Sequence, residues 1–171
     1  MRTRWQFLTL PVLLGALASP HAAQSPSPPL THVDRLVIFK QRRELQLLSQ
    51  GRILKTYKVA LGPNAVGPKE REGDGRTPEG IYSISGRNPR SAYHLSLRVS
   101  YPNAEDRARA AKLGVSPGGD IMIHGLPNGW GWVGHGHTSR GWTAGCIAVT
   151  NDEIEEIYRA VPDGTVVEIR A

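Results

Sequence analysis

The sequence predicts a mainly β fold, a β-sandwich or distorted barrel with short helices at its periphery. Three observations carry this prediction. Between residues 36 and 169 short apolar or alternating runs recur, each bounded by glycine, proline or charged residues, the pattern of strands and turns. Only two stretches, 105–112 and 154–161, have helical signals. The chain left after an N-terminal leader is about 140 residues, enough for one domain with its own core, and it shows no internal repeat and no heptad pattern.

Taken in order, residues 1–23 have the features of a secretory signal peptide. Arg2 and Arg4 give a positive start, 5–18 is predominantly apolar, and Ala16, Ala18 and Ala23 offer small residues for cleavage. The apolar run falls short of the ~20 residues that a membrane span needs, and no cysteine follows it to take a lipid; an uncleaved anchor is the alternative. Residues 24–33, with QSPSPP, form a polar, proline-rich linker, and 34–171 is the domain.

The domain opens with LVIF at 36–39, a charged turn at 40–43 and a second run at 44–48, together a hairpin. After the turn Ser49-Gln50-Gly51, residues 53–61 alternate, with Ile53, Lys55, Tyr57, Val59 and Leu61 on one face. Residues 62–75 are a long loop of glycine, proline and mixed charges; no Gly-Lys-Ser/Thr follows, so it is not a nucleotide loop. Thr77-Pro78-Glu79-Gly80 turns into a strand at 81–85, and 94–100 alternates again. Residues 105–112 suit a short surface helix stopped by Gly114, in the segment that leads to 121–123, a short apolar strand. Another short strand follows at 147–149. Thr150 and Glu153 make a capping box, Ile154, Ile157, Tyr158 and Val161 form the stripe of an amphipathic helix, Pro162-Asp163-Gly164 ends it, and 166–169 is the closing strand.

The chemistry concentrates in 119–151. This stretch holds the only cysteine, Cys146, and three of the six histidines, His124, His135 and His137. A lone cysteine forms no intramolecular disulfide, and taken by itself it is a small buried hydrophobe. Here Gly145 precedes it and an apolar strand follows, so a thiol at a tight turn is presented from a rigid edge. His124 ends the run 121–123 in the same way. If the two strands are neighbours, imidazole and thiol meet, the imidazole takes the thiol proton, and the two form a thiolate–imidazolium pair that attacks carbonyls. Backbone N–H groups at the Gly145–Cys146 turn, flanked by Thr143 and Ala144, are candidates for an oxyanion hole.

The arrangement Ile123-His124-Gly125, a glycine-rich spacer and then Thr143-Ala144-Gly145-Cys146 resembles the catalytic domain of YkuD-type L,D-transpeptidases. It is similar in form to a subgroup with TAGCIAVTN, and the resemblance extends from about residue 35 to 170, including GDGRTPEGIYSI. It implies His124 as general base, Cys146 as nucleophile, Gly145 as the glycine before it and Thr143 at the Ser/Thr position. Two positions depart from the pattern: Ala144 stands where many members have histidine and Ala148 where many have arginine or asparagine. These departures point to altered substrate contacts. The resemblance further implies a cell-envelope enzyme, secreted to the periplasm, that cuts peptidoglycan stem peptides after the third residue and passes the acyl group to an amine of another stem or of an envelope lipoprotein. It implies no cofactor and no metal, and a monomer is expected.

Composition agrees with an anionic polymer as substrate. The chain has 21 basic and 15 acidic residues, a net +6; without Arg2 and Arg4 the balance is +4, and no nucleic-acid partner is expected. Two other classes stay open: a hydrolase on the same scaffold, and a zinc peptidase using His135, His137 and His94. Trp130, Trp132 and Trp142 either stack on sugar, line a peptide groove or anchor their loop. Arg140 and Lys69 are cations that could hold a substrate carboxylate.

Overall fold

The structure, a computed structural model, describes residue 30 and residues 32–171. The expected signal peptide and all but the end of the linker lie outside the described residues. The domain is built on one eight-stranded sheet, flanked by few short helices. Its strands are β1 (Arg35–Phe39), β2 (Glu44–Ser49), β3 (Arg52–Lys58), β4 (Gly80–Ser91), β5 (His94–Val99), β6 (Met122–His124), β7 (Ile147–Ala148) and β8 (Val166–Arg170), and its helices are α1 (Ala104–Lys112) and α2 (Asn151–Ala160). In space the strands run β3-β2-β1-β8-β4-β5-β6-β7. Ala60, just past β3, bridges to Ala148 on β7 by two backbone hydrogen bonds of 2.9 Å. This bridge ties the two ends of the order together, so the sheet curls round one core. No helix of the described residues is long and apolar enough to cross a membrane.

The core follows from the alternation of the strands. Leu36, Ile38, Leu45, Leu47, Tyr57, Leu97, Ile123, Ile147, Val167 and Ile169 point into it, joined by Ile154 and Ile157 of α2 and by Val161 just past its end. The expected cap is formed: Thr150 Oγ1 accepts from the Glu153 N–H at 3.3 Å, and Glu153 Oε2 accepts from the Thr150 N–H at 2.8 Å. The two orphan N–H groups at the helix start are thereby satisfied. The helix at 104–112 also forms. Its Asp106 is buried, caps through Asn103 and accepts from Tyr82 Oη at 3.0 Å, so it is bolted to β4 and is less of a surface element than composition suggests.

Three elements differ from the sequence expectation. In β3 the face assigned to Ile53 does not hold, because the register with β2 shifts between Leu47 and Leu48. That bulge leaves Ile53 58% exposed, while Lys55 and Tyr57, beyond it, keep the expected face opposite Leu47 and Leu45. β4 runs on past Ser85 to Ser91, through a Gly-Arg-Asn-Pro stretch that has the composition of a loop. Its pairing with β5 is irregular between Asn88 and Ser91, which accommodates Pro89 where a regular ladder would need its missing N–H. Lys40, expected in a charged turn, is 1% exposed: its Nζ donates to the Thr77 carbonyl and to Glu79 Oε1, both at 2.8 Å, and to the Gly67 carbonyl. Burial pulls its pKa below the ordinary lysine value, while Glu79 opposes the shift.

Candidate active site

The site begins with register. β5 pairs antiparallel to β6, and β6 pairs parallel to β7, with Ile123 opposite Ile147 and His124 opposite Ala148. Cys146 lies one residue before β7 and therefore comes level with Met122. Residues side by side on neighbouring strands share a face, and alternate residues along a strand return to it. Met122, His124, Cys146 and Ala148 accordingly share one face, and Met122, His124 and Cys146 line one cleft of about 380 Å³. Thr143 and Ala144 line it as well; Gly145 is buried behind them.

Both glycines of the two motifs are fixed by close approach. A Cβ on Gly125 would lie 2.8 Å from Asn151 Oδ1 and 2.9 Å from Ile154 Cγ2, so α2 packs directly against the backbone that follows His124. Asn151 Oδ1 also accepts from the Leu126 N–H at 2.9 Å. Gly145 has φ +131°, and its Cβ would meet the Arg76 carbonyl oxygen at 2.5 Å. Thr143 organises the turn: its hydroxyl donates to the Cys146 carbonyl at 2.8 Å and accepts from the Gly145 N–H at 3.3 Å. The Gly145 amide, a candidate oxyanion donor, is thus occupied. Among the described residues the Cys146 N–H makes no hydrogen bond.

His124 is buried at the end of β6, and its Nδ1 lies 2.7 Å from the Gly125 carbonyl. A carbonyl only accepts, so Nδ1 carries the proton and Nε2 is left as the acceptor. Tyr93 packs on the imidazole at 4.6 Å between ring centroids, and Trp142 meets it edge-on at 5.8 Å. Burial lowers the His124 pKa below the ordinary imidazole value; the Gly125 carbonyl opposes this and His137 adds to it. The Cys146 thiol donates to the Asp120 carbonyl at 3.4 Å. Burial pushes it up, the Met122 N–H pulls it down, Asp120 raises it and Lys69 lowers it. Both shifts favour uncharged forms, and no hydrogen bond joins the thiol to the imidazole among the described residues. Removal from water disfavours both charges of the thiolate–imidazolium pair that residue types suggest.

The other histidines do not converge. His94 Nε2 pairs with Glu155 at 2.8 Å, and exposed His135 stands 3.8 Å from Glu153. His137 is buried and lies edge-on to Trp142 at 6.4 Å, inside a run of 3-10 turns over Gly131–Ser139. The glycine-rich spacer thus has a buried anchor, made by an indole that packs between His124 and His137. No group of three His, Cys, Asp or Glu residues able to hold a metal occurs among the described residues, which removes the support for the zinc reading. Lys69 is also unavailable to a substrate carboxylate: it is buried and donates to Asp74 Oδ1 at 2.7 Å and to the Arg71 carbonyl at 3.1 Å.

Sequence reasoning missed Tyr93, Ser91, Asn88, Ser96, Asp120 and Met122, all of which line the cleft. Met122 and Asp120 lie within four residues of His124, and strand alternation would place Met122 on its face. The Asn88–Tyr93 group was hidden because the far end of the β4–β5 hairpin has loop composition.

Residues 33–169 match the family model described as the YkuD L,D-transpeptidase catalytic domain. Over 131 residues the chain is 35% identical to YafK of Escherichia coli strain K12, a candidate L,D-transpeptidase; the match covers 72% of this chain and 45% of that relative. The helical cell shape determining protein Pgp2 of Campylobacter jejuni superposes with a TM-score of 0.62 at 28% identity, over 82% of this chain and 48% of that one. An L,D-transpeptidase of Xylanimonas cellulosilytica shares the fold, with a TM-score of 0.54 at 16% identity over 85% of this chain and 64% of that one. The chain spans about half the length of the first two.

Proposed function

The chain belongs to the YkuD family of L,D-transpeptidase catalytic domains, and from that premise we propose that it is an envelope cysteine acyltransferase acting on peptidoglycan stem peptides. One observation carries the reading: His124 and Cys146 share a face of two neighbouring strands and line one cleft. In the proposed reaction Cys146 Sγ attacks the carbonyl of the third stem residue while its proton passes to His124 Nε2. The Cys146 N–H receives the developing oxyanion, since the Gly145 N–H is held by Thr143. Collapse breaks the amide; the leaving D-alanine amine takes the proton from His124, and a thioester remains on Cys146. An acceptor amine then attacks the thioester, His124 removes its proton, and the thiol leaves and is reprotonated.

The direction of both shifts suits this order, because a neutral imidazole is the form that accepts a proton. Ala144 is exposed in the cleft and Ala148 is fully buried against Ala60. Of the two departures from the family pattern, only Ala144 therefore lies where a substrate could contact it. We further propose the domain division 1–23, 24–33 and 34–171, export to the periplasm, and another stem or an envelope lipoprotein as acceptor.

The test is incubation of the purified protein with muropeptides, followed by mass analysis. Cross-linked or exchanged stems support acyl transfer, and products carrying one water in place of D-alanine identify the same-scaffold hydrolase. Cys146→Ala should abolish either reaction, and activity surviving in it would remove the covalent mechanism. A carbapenem should add one drug equivalent to the mass of the wild type and none to Cys146→Ala.

A further inference from the structure

A second cavity, of about 410 Å³, lies against the reaction cleft and shares Trp142 with it as a common wall. Its character differs from that of the cleft. Trp130 and Trp132, 58% and 83% exposed, stack with centroids 6.5 Å apart and planes 21° apart. Leu126, Pro127 and Val133 supply further apolar lining. Two neighbouring indoles held open to water are an unusual expense of apolar area. Nothing among the described residues covers them. Beneath them His137 is 6% exposed, and neither of its ring nitrogens has a partner; Trp142 Nε1 has none either. A buried polar group left without a partner is unfavourable, and burial pulls the His137 pKa down, against the pull of Glu153.

Flat apolar faces beside uncharged hydrogen-bonding groups describe a particular ligand. A pyranose ring has an apolar C–H face that packs on indole and a rim of neutral hydroxyl and acetamido groups. A free stem peptide carries carboxylates instead and would engage the cation in the lining, Arg140. We propose that the cavity walled by Trp130, Trp132, His137 and Trp142 is a carbohydrate subsite that takes a sugar ring of the glycan strand bearing the stem peptide. The inference rests on the reading of the adjoining cleft as a peptidoglycan site. The shared Trp142 wall gives it sense, because a stem peptide seated at Cys146 brings its own sugar into the neighbourhood.

The test is binding without turnover, so that its outcome is separate from that of the reaction. The full chain carrying Cys146→Ser, labelled with nitrogen-15, is titrated with N-acetylglucosamine tetramer, a sugar with no peptide, and separately with a free tetrapeptide. The sugar should saturably shift the indole N–H resonances of Trp130, Trp132 and Trp142. Trp132→Ala, at an exposed position where folding is not at stake, should weaken sugar binding about tenfold, the value of one lost aromatic stack, and Arg140→Ala should leave it unchanged. Absence of saturable sugar binding overturns the proposal, as does binding indifferent to Trp132→Ala and to Trp130→Ala. Shifts produced by the tetrapeptide alone and lost in Arg140→Ala would make the cavity a peptide subsite.

Discussion

Replacing Gly145 by alanine tests the geometry of the nucleophile's turn more sharply than replacing the nucleophile. The new Cβ would stand 2.5 Å from the Arg76 carbonyl oxygen, where ordinary contact begins near 3.4 Å, so the turn or its neighbour must give by about 0.9 Å. The neighbour is stiff, because Arg76 is backbone-bonded to Asp74 Oδ1 at 3.0 Å and Asp74 is locked to Lys69. Most of the movement therefore falls on the turn carrying Cys146. The φ of +131° adds strain of about 1–3 kcal/mol for any residue with a Cβ, equivalent to a fall in Tm of roughly 3–10 °C for a domain of this size. A displacement near 1 Å of a reacting group costs about a hundredfold in rate. Gly145→Ala should then show both effects in a thermal melt and in single-turnover acylation. A variant with wild-type Tm and acylation rate would mean that the Arg76 contact does not position Cys146, and the account of the turn would fail.

Three further outcomes follow from the charges and their burial. Iodoacetamide should modify wild-type Cys146 with a midpoint pH above that of a free cysteine, since burial raises the thiol pKa; His124→Gln should leave this midpoint nearly unchanged while lowering acylation by a stem peptide about a hundredfold or more. A wild-type midpoint below that of a free thiol would restore the ion pair. Burial pushes the Asp74 carboxyl up, but Lys69 and three backbone N–H donors outweigh it and hold the pKa at about 2, below its ordinary 3.8. Because the folded value is the lower one, the stabilisation, about 2 kcal/mol, is present above pH 3.8 and lost as pH falls toward 2; Asp74→Asn should flatten the acid limb of a stability–pH curve. Lys40→Met should destabilise the domain by about 1–3 kcal/mol in urea titration, because it strips a donor from the buried Thr77 carbonyl and the half-buried Gly67 carbonyl and a partner from Glu79.

What the sequence determined by itself was local. Alternation and turn residues set most strand positions, the Thr150–Glu153 box set the start of α2, and the two short runs ending at His124 and beginning after Cys146 marked the candidate site, because these signals depend only on neighbours in the chain. Tertiary structure decided everything that depends on pairing or on loss of water. The β2–β3 bulge turned Ile53 outward, and an irregular ladder carried β4 through Pro89, since register is a property of two strands and not of one. Lys40 and Lys69 became buried ties, although charge alone marks a surface, because backbone carbonyls and carboxylates from distant segments surround them. The electrostatics of Cys146 and His124 are tertiary for the same reason: residue types favour the ion pair, while the burial imposed by Tyr93, Trp142 and the packed sheet opposes charge on both groups, and only the folded chain sets how much water they keep.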